Sequence, residues 1–249
     1  MKSMIEKALK YLIGLGAANI REIRLPDGVV QTYSDKPLYR LSEYIPMAER
    51  IDMSTLSSLV DYIKSHVDKM ADKMIVHVTN PDEVILFSQL DKERNREYLV
   101  KVKAQIPSFR YQDFIAHESF CINVQSKFLD DPDTDKELIL KFAGTVEHGS
   151  VAEYGDDGVT QKATVRQGIA SKTDAIVPNP VKLRPYRTFI EVEQPASEFI
   201  FRMKDSSNGI TCALFEADGG AWKNAAMRNV REYLEYELAD FKNQFLVIS

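Results

Sequence analysis

The chain has 249 residues, 44% hydrophobic and 28% charged, an ordinary balance for a globular protein long enough to bury a sizeable core. A formal net charge of −5 argues against a general affinity for nucleic acid or anionic membranes. With no apolar run near the roughly 18 residues a membrane span needs, no transmembrane helix is expected, and the only two cysteines, Cys121 and Cys212, read as reduced thiols in apolar segments.

Residues 2–15 read as an amphipathic helix. Ile5, Leu9, Leu12 and Ile13 share a face, while Glu6 and Lys10 interrupt what a signal peptide would need as an apolar stretch. Two strands follow, 20–25 and 29–33, joined by a Pro26-Asp27-Gly28 turn. Residues 54–67 read as a helix capped by Ser54, with Leu56, Leu59, Val60, Ile63 and Val67 as its apolar stripe. Strands at 74–79 and 84–89 flank an Asn80-Pro81-Asp82-Glu83 turn, and 98–104 pairs next. Residues 111–128 read as a helix through Phe114, Ile115, Phe120 and Val124, and Thr134 or Asp135 caps another at 136–142.

Two polar, alternating runs then flank Gly155-Asp156-Asp157-Gly158 across 147–167, a strong hairpin signal. Beyond it, strands are expected at 186–193, 198–204 and 210–216, the last two joined across Asn208-Gly209. A helix at 222–241 and a short strand at 245–248 complete the chain. This order predicts an α+β fold with a mainly antiparallel sheet, as one domain over 1–249, with the helices at 2–15 and 222–241 as peripheral or assembly elements.

The order of motifs carries a resemblance. LSEYIP at 41–46, LSSLVDYIKSH at 56–66, paired strands, YQDFIAHESF, the GDDG hairpin and the PYRTFIEVEQP and FIFRM segments together resemble the YfdQ-like family of phage and prophage proteins, across roughly residues 41–215. The resemblance implies a phage origin and a place in the bacterial cytoplasm. It implies no activity, so no catalytic residue is carried over.

The chemistry-bearing residues form few constellations. His117 and Cys121 stand four apart on a helix, half of a zinc site, and His66, His77 and His148 do not complete it. Tyr154-Gly155-Asp156-Asp157 spells the metal-binding hairpin of viral polymerases, but a Gly-Asp-Asp-Gly turn accounts for itself. Glu191 and Glu193 share a face if their segment is a strand, with nothing to set their environments apart. Gly14-Leu15-Gly16 lacks the continuation of a phosphate loop, and no Ser/His/Asp motif occurs.

The strongest ligand signal is a basic, aromatic stretch. Lys162, Arg166, Lys172 and Lys182 precede Arg184, Tyr186, Arg187, Phe189, Arg202 and Lys204. Arginine and aromatic side chains on adjoining strands clamp a phosphate and stack a base, so Arg184, Tyr186, Arg187, Arg202 and Lys204 are the expected ligand-binding residues. The alternative is a solvated face paired with Glu191, Glu193 and Glu198. Trp222, Tyr233 and Tyr236 put aromatics on more than one side of the last helix, as a subunit contact would, or equally packing against the sheet from two sides.

These signals favour a non-enzymatic phage accessory protein, a homo-oligomer that binds a host component or a small anionic, nucleotide-like ligand. No catalytic residue, metal or cofactor is expected with it. The alternatives are a self-assembling ring or shell protein and a metal-dependent nuclease or phosphodiesterase using Asp156, Asp157 or Glu191.

Overall fold

The computed structural model describes residues 2–16, 19–24, 30–34, 47–92, 94–146, 152–153, 161–167, 171–207 and 209–249. The chain clusters into two compact units, Met1–Pro46 and Met47–Ser249. The first holds helix α1 (Lys2–Gly16) and an antiparallel hairpin of β1 (Ile20–Arg24) and β2 (Val30–Ser34). Its turn at 25–29 lies outside the described residues.

The second unit is α+β, mainly antiparallel, and contains two cores. Its first layer is a five-stranded sheet in the order β14-β4-β5-β6-β3, from β3 (Ile51–Met53), β4 (Met74–Asn80), β5 (Glu83–Ser88), β6 (Tyr98–Lys103) and β14 (Phe245–Ile248). Strict alternation decides its faces. Met74, Val76, Val78, Val84 and Leu86 point inward and are almost wholly buried.

Helix α2 (Leu56–Ser65) covers that inner face with Leu56, Leu59, Val60, Tyr62 and Ile63. Its cap is Thr55, whose hydroxyl accepts from Ser58 N at 3.2 Å. Ser54, the expected cap, instead accepts from Gln105 Nε2 at 3.3 Å. The helix stops two residues early because His66 is left-handed (φ 51°), which leaves Val67 outside the stripe and 71% exposed.

The second layer is a four-stranded sheet, β11-β12-β13-β7, from β7 (Ile115–Ala116), β11 (Val181–Leu183), β12 (Ser197–Ser206) and β13 (Gly209–Glu216). The expected hairpin of the last two is present, although Asn208 lies outside the described residues. Helices α3 (His117–Lys127) and α4 (Lys136–Thr145) pack beneath it, and Phe120, Phe128, Phe199, Phe201 and Met203 form the core. The helix expected over 111–128 is therefore corrected to its second half. Ile115 is taken by the sheet edge opposite Cys212, Phe114 packs edge-on against Phe215 and Tyr111 stacks on Phe199. Asp135 does not cap α4 by its side chain. Its carboxylate accepts from Lys182 N at 2.7 Å and ties the helix start to β11.

A three-stranded sheet, β10-β9-β8, comes from β8 (Ala152–Glu153), β9 (Gln161–Gln167) and β10 (Ser171–Ile176). The hairpin expected over 147–167 is seen in the pairing of β8 with β9, and its Gly-Asp-Asp-Gly turn lies outside the described residues. Two carboxamides substitute for a missing strand along β12. Asn179 bonds both Phe201 N and O, at 2.6 and 2.9 Å, and Gln161 bonds both Met203 N and O, at 3.0 and 3.1 Å.

The strand expected over 186–193 is a loop. Pro185 and Pro195 bracket it, and the buried carboxamide of Gln194 organises it. Gln194 Oε1 accepts from Arg187 N and Thr188 N at 3.0 and 3.2 Å, and Nε2 donates to Phe189 O at 2.8 Å. A loop satisfied from its own centre needs no ladder partner. It sends Phe189 into the first core and sets Arg187 against the second. Helix α5 (Ala221–Glu237) then crosses β4 and β14, followed by a 3-10 turn at Ala239–Phe241. Among the described residues no helix is long and apolar enough to cross a membrane.

Candidate functional site

A cavity of about 490 Å³ opens where the two layers of the second unit meet. Asn80, Pro81 and Asp82 come from the β4–β5 turn, and residues 106–109 and Tyr111 from the segment after β6. Tyr186 and Arg187 come from the Gln194-centred loop, Glu216 from the end of β13, and Trp222 and Lys223 from the start of α5. Thr188 Oγ1 donates to Pro81 O and pins the loop to the β4–β5 turn. The volume suits a small organic ligand, and four of the walls are aromatic.

Arg187 is the centre of the site. Its side chain is 7% exposed; Nη1 pairs with Glu216 Oε1 at 2.8 Å and Nη2 donates to Ser197 Oγ. The guanidinium lies 4.0 Å from the Trp222 ring centroid and 5.6 Å from that of Phe199, a cation held between two rings. Burial lowers its pKa, against the opposing pull of Tyr111, Glu216 and Asp218. Burial also pushes the Tyr111 phenol up to about 12, so it stays protonated and able to donate.

Hydrogen bonds run on from Arg187 to the helix. Ser197 Oγ donates to Asp218 at 2.7 Å, and Asp218 accepts from Gly220 N at 3.0 Å and Trp222 N at 3.3 Å. Asp218 therefore occupies the anion position at the start of α5 and fixes Trp222 over Arg187. Burial alone would raise the Asp218 pKa, but these hydrogen bonds and the Arg187 charge together hold it below the usual carboxylate value. Because the folded pKa is depressed, the unfolded chain binds more protons, and the stabilisation is present above the unfolded value of 3.8 and lost as pH falls through the folded one. Urea titrations from about pH 5 to pH 2 should show a shallower acid loss for Asp218→Asn than for the wild type.

Two buried donors, Arg187 Nε and Trp222 Nε1, have no hydrogen-bond partner among the described residues. Both atoms are closed off from solvent, so they belong to the packing around Arg187 and not to the open surface of the cavity. Among the charged walls, Arg187 is matched by Glu216, and Asp82 pairs with Lys103 at 2.7 Å. Lys223, exposed at α5, is the remaining cation of the lining.

Of the residues expected to bind ligand, Tyr186 and Arg187 are brought together. Arg184, Arg202 and Lys204 do not line the cavity: Arg184 pairs with Asp131 at 3.0 Å and Glu193 at 3.1 Å, and Lys204 lies 4.3 Å over Phe114. Arg202 sits half-buried on the outward row of β12. The aromatics of α5 also divide. Trp222 is a wall of the cavity, Tyr233 packs against the first core, and Tyr236 alone is freely exposed, at 80%. Glu191 and Glu193 share no strand face, since one accepts from Ser57 N at the start of α2 and the other pairs with Arg184.

Phe109 and Tyr111 were not legible as site residues. Their one sequence signal is the aromatic pair that follows Pro107, in the segment after β6. His117 and Cys121 gather no further ligands, and no group of three His, Cys, Asp or Glu residues able to hold a metal occurs among the described residues. Asp156 and Asp157 lie outside them. Both cysteines are free; burial raises both thiol pKa values, Cys212 to about 12. In comparisons with protein-family models, curated proteins and solved structures, nothing matches this chain.

Proposed function

We propose that the protein is a phage-encoded, non-enzymatic accessory protein of the bacterial cytoplasm. It acts as a homo-oligomer and binds a small nucleotide-like ligand in the cavity between Tyr111, Tyr186, Arg187 and Trp222. The observation that carries the reading is the set of aromatic walls, Phe109, Tyr111, Tyr186 and Trp222, around a cavity of about 490 Å³ that also carries the Lys223 cation. A nucleobase offers such walls a flat π-face on which to stack. Its phosphate would lie toward the mouth at Lys223, because Glu216 already neutralises Arg187 and Asp218 already fills the start of α5. The phage assignment rests on the motif order alone.

Native mass spectrometry beside a denatured run tests this reading. A retained species of nucleotide mass supports it; a bare protein that also takes up no mononucleotide opposes it. Tyr186 is only half-buried, so Tyr186→Ala should leave the fold intact. Loss of one stacking face costs about 1–3 kcal/mol, and calorimetry should show mononucleotide affinity falling roughly ten- to hundredfold.

A further inference from the structure

We propose that two copies of the chain join edge to edge through β14, so that the five-stranded sheet continues as ten strands with the α5 helices side by side. This rests on the homo-oligomer reading above and names its interface. Among the described residues β14 is hydrogen-bonded on one side only, to β4. Its sequence, FLVI, carries none of the devices that keep an edge strand from pairing: no charge, no proline, no bulge. Leu246 is 60% exposed on it. Identical strands related by a twofold axis pair antiparallel, and an uncharged strand opposes no like charges when it does so.

Helix α5 supplies a second, independent observation. It lies over β4 and β14, while α2 lies over β6. One flank of α5 faces inward, where Asn229 donates to Glu193 O at 2.8 Å and Glu237 pairs with Lys64 of α2 at 2.8 Å. The periodicity of the helix turns the other flank toward the β14 edge, and it carries Asn224, Arg228, Arg231 and Glu235, all exposed. Within the helix itself, beyond the Asp218 that fills its start, the charge order is the reverse of what a lone helix prefers. There is no acid in the first turn and no base in the last, and the Arg231–Glu235 pair, at 2.7 Å, has its base N-terminal to its acid.

An antiparallel copy complements that order. Strands about 4.8 Å apart bring the two α5 helices side by side, where Arg228 and Arg231 of one copy face the Glu235 end of the other. The partner fitted by this edge and this charge order is therefore a second copy of the chain.

The test is mass against concentration, by light scattering or native mass spectrometry on the full chain across the micromolar range. The wild type should dimerise. Glu235→Arg and Arg231→Glu should each raise the dimer dissociation constant about tenfold, since every contact across a twofold counts twice. An equimolar mixture of the two variants should recover the dimer, which no loss of folding could produce. Leu246→Lys, also at an exposed position, should weaken it as well. An oligomeric wild type whose variants dissociate as it does, with no gain on mixing, overturns this interface and leaves the oligomer reading standing. A wild type that stays monomeric throughout overturns both.

Discussion

Replacing Arg187 by alanine is expected to lower the unfolding free energy by about 3 kcal/mol. The substitution deletes a buried cation, its bond to Ser197 and its contact with two rings. Breaking a fully buried ion pair costs about 3–5 kcal/mol, but Glu216 is 35% exposed, so water reaches the carboxylate left behind and the ion-pair share sits below that range. Loss of the cation–ring contacts adds about 0.5–2 kcal/mol. Urea denaturation followed by circular dichroism measures the change; a shift under about 1 kcal/mol would show that Arg187 does not anchor its loop through Glu216, Ser197 and the two rings as described. Arg187→Lys should recover little, because an ammonium cannot bond Glu216 and Ser197 from one plane while stacking on Trp222.

Phe199→Ala is expected to cost about 3–5 kcal/mol, the range for emptying a large aromatic site in a packed core. Phe199 is fully buried; its ring stacks on Tyr111 at 5.7 Å and packs edge-on against Phe128 at 6.5 Å. The loss therefore reaches the cavity wall as well as the core. Because Arg187 lies over the same ring, the double variant should lose about 1 kcal/mol less than the two single losses added, and a full double-mutant cycle reads that coupling. Additive losses would mean that the guanidinium and the ring act independently.

Much of the fold was legible wherever local periodicity and burial agree. The stripe of α2 and the alternation of β4 and β5 read directly from spacing, because each buries a single face, and the hairpin of β12 and β13 reads from its turn. Reading failed where tertiary contact overrode spacing. Phe114 and Ile115 continue a helical pattern, yet a strand edge and an aromatic partner claim them. Residues 186–193 alternate like a strand, yet Gln194, a buried polar residue, satisfies their backbone from within a loop.

The site was half legible for the same reason. Tyr186 and Arg187 stood out by residue type, and Trp222 stood out for a different role. Asn80–Asp82, Phe109, Tyr111 and Glu216 come from separate segments that only the packing of the two layers brings to one cavity. No spacing in the chain records that meeting. The pairing of Asp218 with the start of α5 is nearer to legible, since an acid two residues before Gly220 is a common way to begin a helix.

Trp222 is the only tryptophan in the chain and forms a wall of the cavity, so its emission reports on that space. The most direct measurement is a fluorescence titration of the full protein with a panel of purine and pyrimidine mononucleotides, with inorganic phosphate as the control. Saturable quenching by at least one nucleotide, absent with phosphate and weakened in Tyr186→Ala, is the result predicted for a base stacked in the cavity. Emission that stays constant across the panel at millimolar ligand would contradict it.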